Sequence, residues 1–365
     1  VTIIDQSQEV ASGASGGNGG QLSYSFTDAM ASPALLSKMP GIMAGLDPAF
    51  HVCPAISPQY IRWSLAFLGQ CTSHRYRQNT MAILKLALRS GQLMTELHER
   101  TGFDFHYRRA GKLVLQDTSA ALAGAQQACA LKRQQGCDVQ VIPIEKAMEI
   151  EPAVKEMTNN YVGAVYSEND EVGDTQAFST QLAQWLQNNR GTELHLGTRV
   201  RKLVARKGRL AAVETDQGNL QPDAVVVCLG VFSNRLLDPL GIKTNIYPMR
   251  GYSVTLPSLE TSNTVSITDP ASKTVFSRLG DKVRIAGFAD FVGYRTSKDT
   301  DRVRTLLQTA QATAPSIADF TSQSISEWGG FRPMTPDSRP LLGPSSIKGV
   351  HLNTGHGMLG WTLAC

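Results

Sequence analysis

Several things are scarce in this sequence, and each scarcity removes a class of protein. Charged residues make up 18% of the 365 positions, and 35 basic against 31 acidic residues leave a net charge of only +4. With no basic tail or stripe, composition makes no case for nucleic-acid binding, although a weak basic patch against anionic lipid stays open. No apolar run reaches the roughly 18 residues of a membrane-spanning helix, and no signal peptide is expected. The six cysteines (Cys53, Cys71, Cys129, Cys137, Cys228, Cys365) include no Cys-x-x-Cys pair. They read as reduced thiols of a cytosolic protein and define no metal site.

What is present fits a folded chain. At 42% hydrophobic residues disorder is excluded, and the length suggests two domains at roughly 150 residues each. The 32 glycines exceed the average share of about 7% and indicate a glycine-punctuated α/β chain.

Val1 to Asp5 is a β-branched run closed by an acid, which is how the second strand of a dinucleotide-binding βαβ unit reads, its carboxylate meeting ribose hydroxyls. The glycine fingerprint that belongs about 20 residues upstream would precede Val1. At the other end, Trp361 to Cys365 follows a glycine-rich turn that reads as the entry to a helix. The chain is therefore expected to be the interior of a longer protein.

Between the ends, Ala11 to Gln21 is a loop of small residues whose bare backbone suits either a close approach to a pyrophosphate or flavin, or a plain turn. Helical spacing of Ile83, Leu86, Leu93 and Leu97, and of Phe178, Leu182, Trp185 and Leu186 before Gly191, predicts two amphipathic helices. Strand-like runs cover 111–116, 199–205, 210–215, 224–229, 252–256, 282–287 and 350–354. Strands and helices interleave without repeats, which predicts two woven domains. The apolar stretch Ile61 to Leu68 reads as a buried element, with an interfacial anchor as the alternative.

The densest signal is Glu327 to Asp337, followed by Pro340 to Gly343 and Asn353 to Thr362. An arginine between Phe331 and Pro333 can offer its planar fork to a carboxylate with little entropy to lose, and the Gly355-His356-Gly357 turn directs amides at whatever lies above it. Together with Ala14 to Gln21, Glu168 to Asp174, Tyr247 to Ser253 and Arg284 to Gly287, these segments resemble the FAD-dependent amino-acid oxidoreductases that include D-amino-acid oxidase and glycine oxidase. Within that family they are most similar to the bacterial D-amino-acid dehydrogenase small subunits.

The resemblance implies an α/β fold with α+β elements. A Rossmann-like FAD-binding domain (1–30, 145–235 and 325–365) would interweave with a substrate domain (31–144 and 236–324) on an antiparallel or mixed sheet with helices. It implies that Asp5 meets the FAD ribose and Val200 the adenine. Ser12, Ser15, Asn18, Gly19, Gly20 and Gln21 would line the pyrophosphate and flavin, with Cys228, Leu229 and Gly230 beside them. Gly355, Gly357, Met358, Leu359, Gly360 and Thr362 would form the turn against the isoalloxazine. Arg332 would grip the substrate carboxylate. Tyr252 borders the substrate or fills core, and His356 reads as structural or flavin-adjacent and not as a base.

The implied reaction is oxidative deamination of a D-amino acid to a 2-oxo acid and ammonia. Electrons would pass to a quinone or other respiratory acceptor, from a cytoplasmic protein that is peripheral, if at all, on the inner face of the bacterial membrane. An O₂-using oxidase of the glycine or sarcosine type, a D-proline or hydroxyproline dehydrogenase, and a non-catalytic FAD-bearing subunit stay open. Homo- or hetero-oligomers do as well.

Overall fold

The computed structural model describes residues 1–53, 57–297 and 299–365. Its largest element is a nine-stranded sheet. Eight strands follow one path in the order Ser326–Met334, Tyr247–Pro257, Lys282–Phe291, Thr274–Leu279, Ser266–Asp269, Lys112–Gln116, Gly163–Ser167 and Val139–Pro143, and Phe50–Val52 pairs with Lys282–Phe291 off that path. Pairing is antiparallel except where Ser266–Asp269 meets Lys112–Gln116 and where Phe50–Val52 joins. One face buries an apolar core that includes Leu113, Leu115, Val254, Ile267, Phe276 and Ile285, closed by the helix Asp299–Thr313 through Val303, Leu306 and Ala310. The alternation that sends Leu113 and Leu115 into this core turns Lys112 toward the opposite face.

Smaller sheets make up the rest. Thr2–Ile4 pairs in parallel with Glu193–His195, and Val225–Val227 pairs in parallel with Val350–Thr354, which is also joined by Leu341–Pro344. Val200–Arg206, Arg209–Thr215 and Gly218–Leu220 form a meander. Two strands expected in the cofactor domain, Gly163–Ser167 and Ser326–Met334, instead hydrogen-bond into the large sheet. Pairing from Tyr247↔Met334 to Thr255↔Ser326 makes the arginine-bearing strand an integral part of it.

The expected helices are present and capped by identifiable residues. Ser73–Thr101 contains the 83–97 pattern, starts on Thr72, whose side chain accepts from Arg75 N, and ends on left-handed Gly102. Thr175–Arg190 starts on Asp174 and stops at left-handed Gly191. The 61–68 stretch lies in the helix Pro58–Gln70 and divides by face: Trp63 and Phe67 are buried, whereas Ile61, Leu65 and Leu68 are 48%, 66% and 41% exposed. Expectation and structure differ after Gly355. No helix forms there among the described residues, because Gly355 and Gly357 both take left-handed φ (77° and 56°) and the chain runs on in turns to its last residues.

Candidate active site

A cavity of about 720 Å³ opens between the non-core face of the large sheet, the 14–21 loop and the 356–364 turn. That size falls in the roughly 300–1,000 Å³ range of small-molecule sites. Part of its wall is one cross-strand row, Thr268↔Val275 and Val275↔Ala286, which continues by register to Ser253 and Trp328.

The glycine loop is fixed against this sheet by polar contacts. Ser253 Oγ donates to Gly17 O at 2.9 Å, Arg284 Nη1 donates to Asn18 O at 3.0 Å, and Gly20 N donates to Asn18 Oδ1 at 2.9 Å. Trp328 explains two of the glycines, since a β-carbon at Gly17 or at Gly330 would overlap its indole. Across the cavity, Gly357 N donates to Pro333 O at 3.0 Å and Leu359 N to His356 O at 3.0 Å. The amides of Met358, Gly360, Trp361 and Thr362 have no protein acceptor among the described residues.

Arg332 enters from the sheet side. Its guanidinium lies across Gly251 on the neighbouring strand, where a β-carbon would overlap it. Nη1 donates to Phe288 O at 2.7 Å and Nη2 approaches Gly287 O at 3.5 Å. It forms no ion pair among the described residues. Burial pulls its pKa down to about 10, partly offset by the charge of Asp290 and by Tyr252. A half-buried cation with backbone partners and no direct ion pair is prepared for an anionic ligand.

The carboxylate of Asp290 is already committed. It accepts two bonds from Arg302 at 2.8 Å each, one from Tyr252 Oη at 2.9 Å and one from His51 N at 3.1 Å. Tyr252 therefore lines the cavity with its ring while its hydroxyl donates to Asp290. His356 lines the cavity too, and burial lowers its pKa below the ordinary histidine value.

The structure gathers Ser15, Asn18, Gly19, Gln21, Cys228, Gly230, Tyr252, Arg332, His356, Gly357, Met358, Leu359, Gly360 and Thr362 on this one cavity. Gly20, Leu229 and Gly355 are each next in sequence to a lining residue without lining it themselves. Asp5, Ser12 and Val200 stand outside it. Thr198 N donates to Asp5 O at 2.9 Å, which brings Asp5 beside the start of the Val200 strand, and Ser12 Oγ donates to Glu9 O at 3.3 Å. Several lining residues had no site role in the sequence reading, among them Lys112, Phe26, Phe178 and Trp328. Of these, Lys112 left a trace, a lone cation opening the apolar run Leu113-Val114-Leu115.

The family model for FAD-dependent oxidoreductases matches residues 1–365. The chain belongs to that family. It is 34% identical over 373 residues to D-amino acid dehydrogenase 2 of Ralstonia nicotianae, covering 100% of this chain and 88% of the relative. It is 31% identical over 367 residues to D-amino acid dehydrogenase of Vibrio vulnificus, covering 100% and 87%. Among solved structures, glycine oxidase from Geobacillus kaustophilus superposes with a TM-score of 0.74 at 22% identity, covering 100% of this chain and 84% of that one.

The residues present fit the cofactor of this family. Residues 358 and 360–362, whose amides have no protein acceptor among the described residues, line the same cavity as Gly17 and Gly19, and a flat heterocycle with carbonyl oxygens can use such free donors.

Proposed function

We propose that this chain binds FAD and oxidises D-amino acids to imino acids, which water then hydrolyses to 2-oxo acids and ammonia. The observation that carries this reading is Arg332, a half-buried guanidinium that forms no ion pair among the described residues, on the wall of the glycine-lined cavity. The D-amino acid dehydrogenases among its relatives support the substrate class.

When bound, FAD supplies the two-electron acceptor for the hydride of the substrate Cα. The loop 14–21 and the turn 356–362 would hold it, and Asp5 and Val200 would serve its adenosine end. Arg332 would pair with the substrate carboxylate and restrict its rotation, so that much of the rate enhancement comes from orientation. The rings of Tyr252 and Phe331 would exclude water beside it.

Electrons would then pass to a quinone or another respiratory acceptor at a membrane surface. Ile61, Leu65 and Leu68 support this, exposed on one helix, with Leu68 lining the same apolar pocket as Met43 of the helix Pro33–Met43. No helix among the described residues is long and apolar enough to cross a membrane, so the contact would be peripheral.

Anaerobic bleaching of the flavin by paired D- and L-amino acids tests the substrate class. Comparing peroxide release in air with reduction of a quinone dye separates dehydrogenase from oxidase. Bleaching by no amino acid would refute the reading.

A further inference from the structure

Apart from Arg332, Lys112 is the only strongly basic residue lining the cavity among the described residues, and neither the sequence motifs nor the substrate site accounts for it. Its ammonium is buried, donates to Gln21 Oε1 at 2.9 Å and to Ser23 Oγ at 2.8 Å, and lies 4.8 Å from the centre of the Phe26 ring. It forms no ion pair among the described residues, so one of its three N–H groups has no oxygen acceptor. Gln21 is oriented by its own bonds to Ser266 and Thr268. Ser23 N donates to Thr362 Oγ1 at 3.1 Å. Lys112 thus ties the glycine loop to the 356–362 turn, the two surfaces on which the cofactor reading rests.

The sheet separates Lys112 from the substrate clamp. Arg332 bonds to carbonyls on the Lys282–Phe291 strand, and two strands lie between that strand and Lys112. Strand spacings of about 4.8 Å make this about 14 Å of sheet. That span exceeds the reach of a small amino acid held at Arg332 but not that of a larger ligand filling the cavity.

We propose that Lys112 is an electrostatic positioning residue for the bound flavin, placed to meet the negative charge that the ring system gains on reduction. The inference rests on the FAD reading above. Its energetic basis is that a cation in a dry site next to a redox centre stabilises the electron-rich state far more than one in water does. The groups facing Lys112 are Asp170 and Asp28, which favour its charge, and Lys132, which opposes it. Burial dominates and draws its pKa down to about 8, so the charge is available at neutral pH and is lost on mild alkalinisation.

The test uses the FAD-loaded protein and its Lys112→Met variant, with sulfite as the probe because its flavin adduct carries the same added negative charge. Sulfite affinity is expected to fall about tenfold in the variant, and the flavin midpoint potential to fall by the equivalent of about 30 mV for a two-electron couple. Unchanged sulfite affinity and potential in a variant that still holds flavin would overturn the proposal. A second measurement leaves Lys112 in place. The potential of the wild type plotted against pH is expected to bend near 8. Lys132→Met, which removes an opposing charge, should move that bend to higher pH. A straight plot through this range would overturn the proposal as well. A preparation that takes up no flavin would instead refute the FAD reading.

Discussion

Arg332 Nη1 donates at 2.7 Å to the carbonyl of Phe288, a residue whose own φ is +60°. A bulky residue in the left-handed region is unusual, and here it has a local cause. Arg250 pairs with Asp290 and Tyr252 with Gly287, so Phe288 and Ala289 stand opposite the single residue Gly251. This is a β-bulge, a device that re-aims backbone groups beside functional sites. The bulged carbonyl fixes the guanidinium, Gly251 leaves the space in which it lies, and Arg302 stacks 4.5 Å from the Phe288 ring.

If this arrangement is what aligns the substrate carboxylate, Arg332→Lys should keep its flavin but lose on the order of 10²-fold in kcat/KM, because an ammonium cannot form two parallel bonds. Steady-state kinetics alongside the flavin absorbance spectrum would check it. Unchanged kinetics would refute the carboxylate assignment.

Gly251→Ala tests the same geometry from the other strand. The added methyl would overlap the Arg332 guanidinium and shift it, with an expected loss of about 10²-fold in kcat/KM from misplacement alone. The loss should appear mainly as a raised KM, with flavin content retained.

Arg332 and the cavity glycines were singled out by the family resemblance, since from the residues alone a structural arginine and a plain turn stayed open. The bulge was not, since it exists only in the register between strands. Nor was the role of Lys112, whose neighbour Ser266 is more than 150 residues away in the chain. The helix expected after Gly355 failed for a local reason, two left-handed glycines flanking His356. Ile61 to Leu68 could be read as core or as surface, and the helix carries both on different faces.

Asp170 gives a pH dependence with a definite sign. Burial raises its carboxyl from 3.8 to about 6, opposed by Lys112 and by bonds from Ser25. A folded-state pKa above the unfolded value means that this group's stability contribution is complete below about 3.8 and is lost as pH rises through about 6. Asp170→Asn keeps an acceptor for Ser25 N but cannot ionise. Its Tm relative to the wild type is therefore expected to rise across that window, as read by thermal denaturation in a pH series. Parallel Tm curves would contradict the assignment.

Leu65 is the most exposed apolar residue of its helix, at 66%. Leu65→Glu should reduce co-sedimentation with vesicles containing anionic lipid while leaving flavin reduction by substrate unchanged. Equal sedimentation of both proteins would remove the helix from the docking surface.

The most direct test of the account is the anaerobic rate of flavin bleaching by the two enantiomers of one amino acid, such as alanine, added to the same FAD-loaded preparation. Fast bleaching by the D-enantiomer, slow or absent with the L-enantiomer, and slowed about 10²-fold in Arg332→Lys, is the expected result. Equal rates for both enantiomers, or an unchanged bleaching rate in Arg332→Lys, would contradict it.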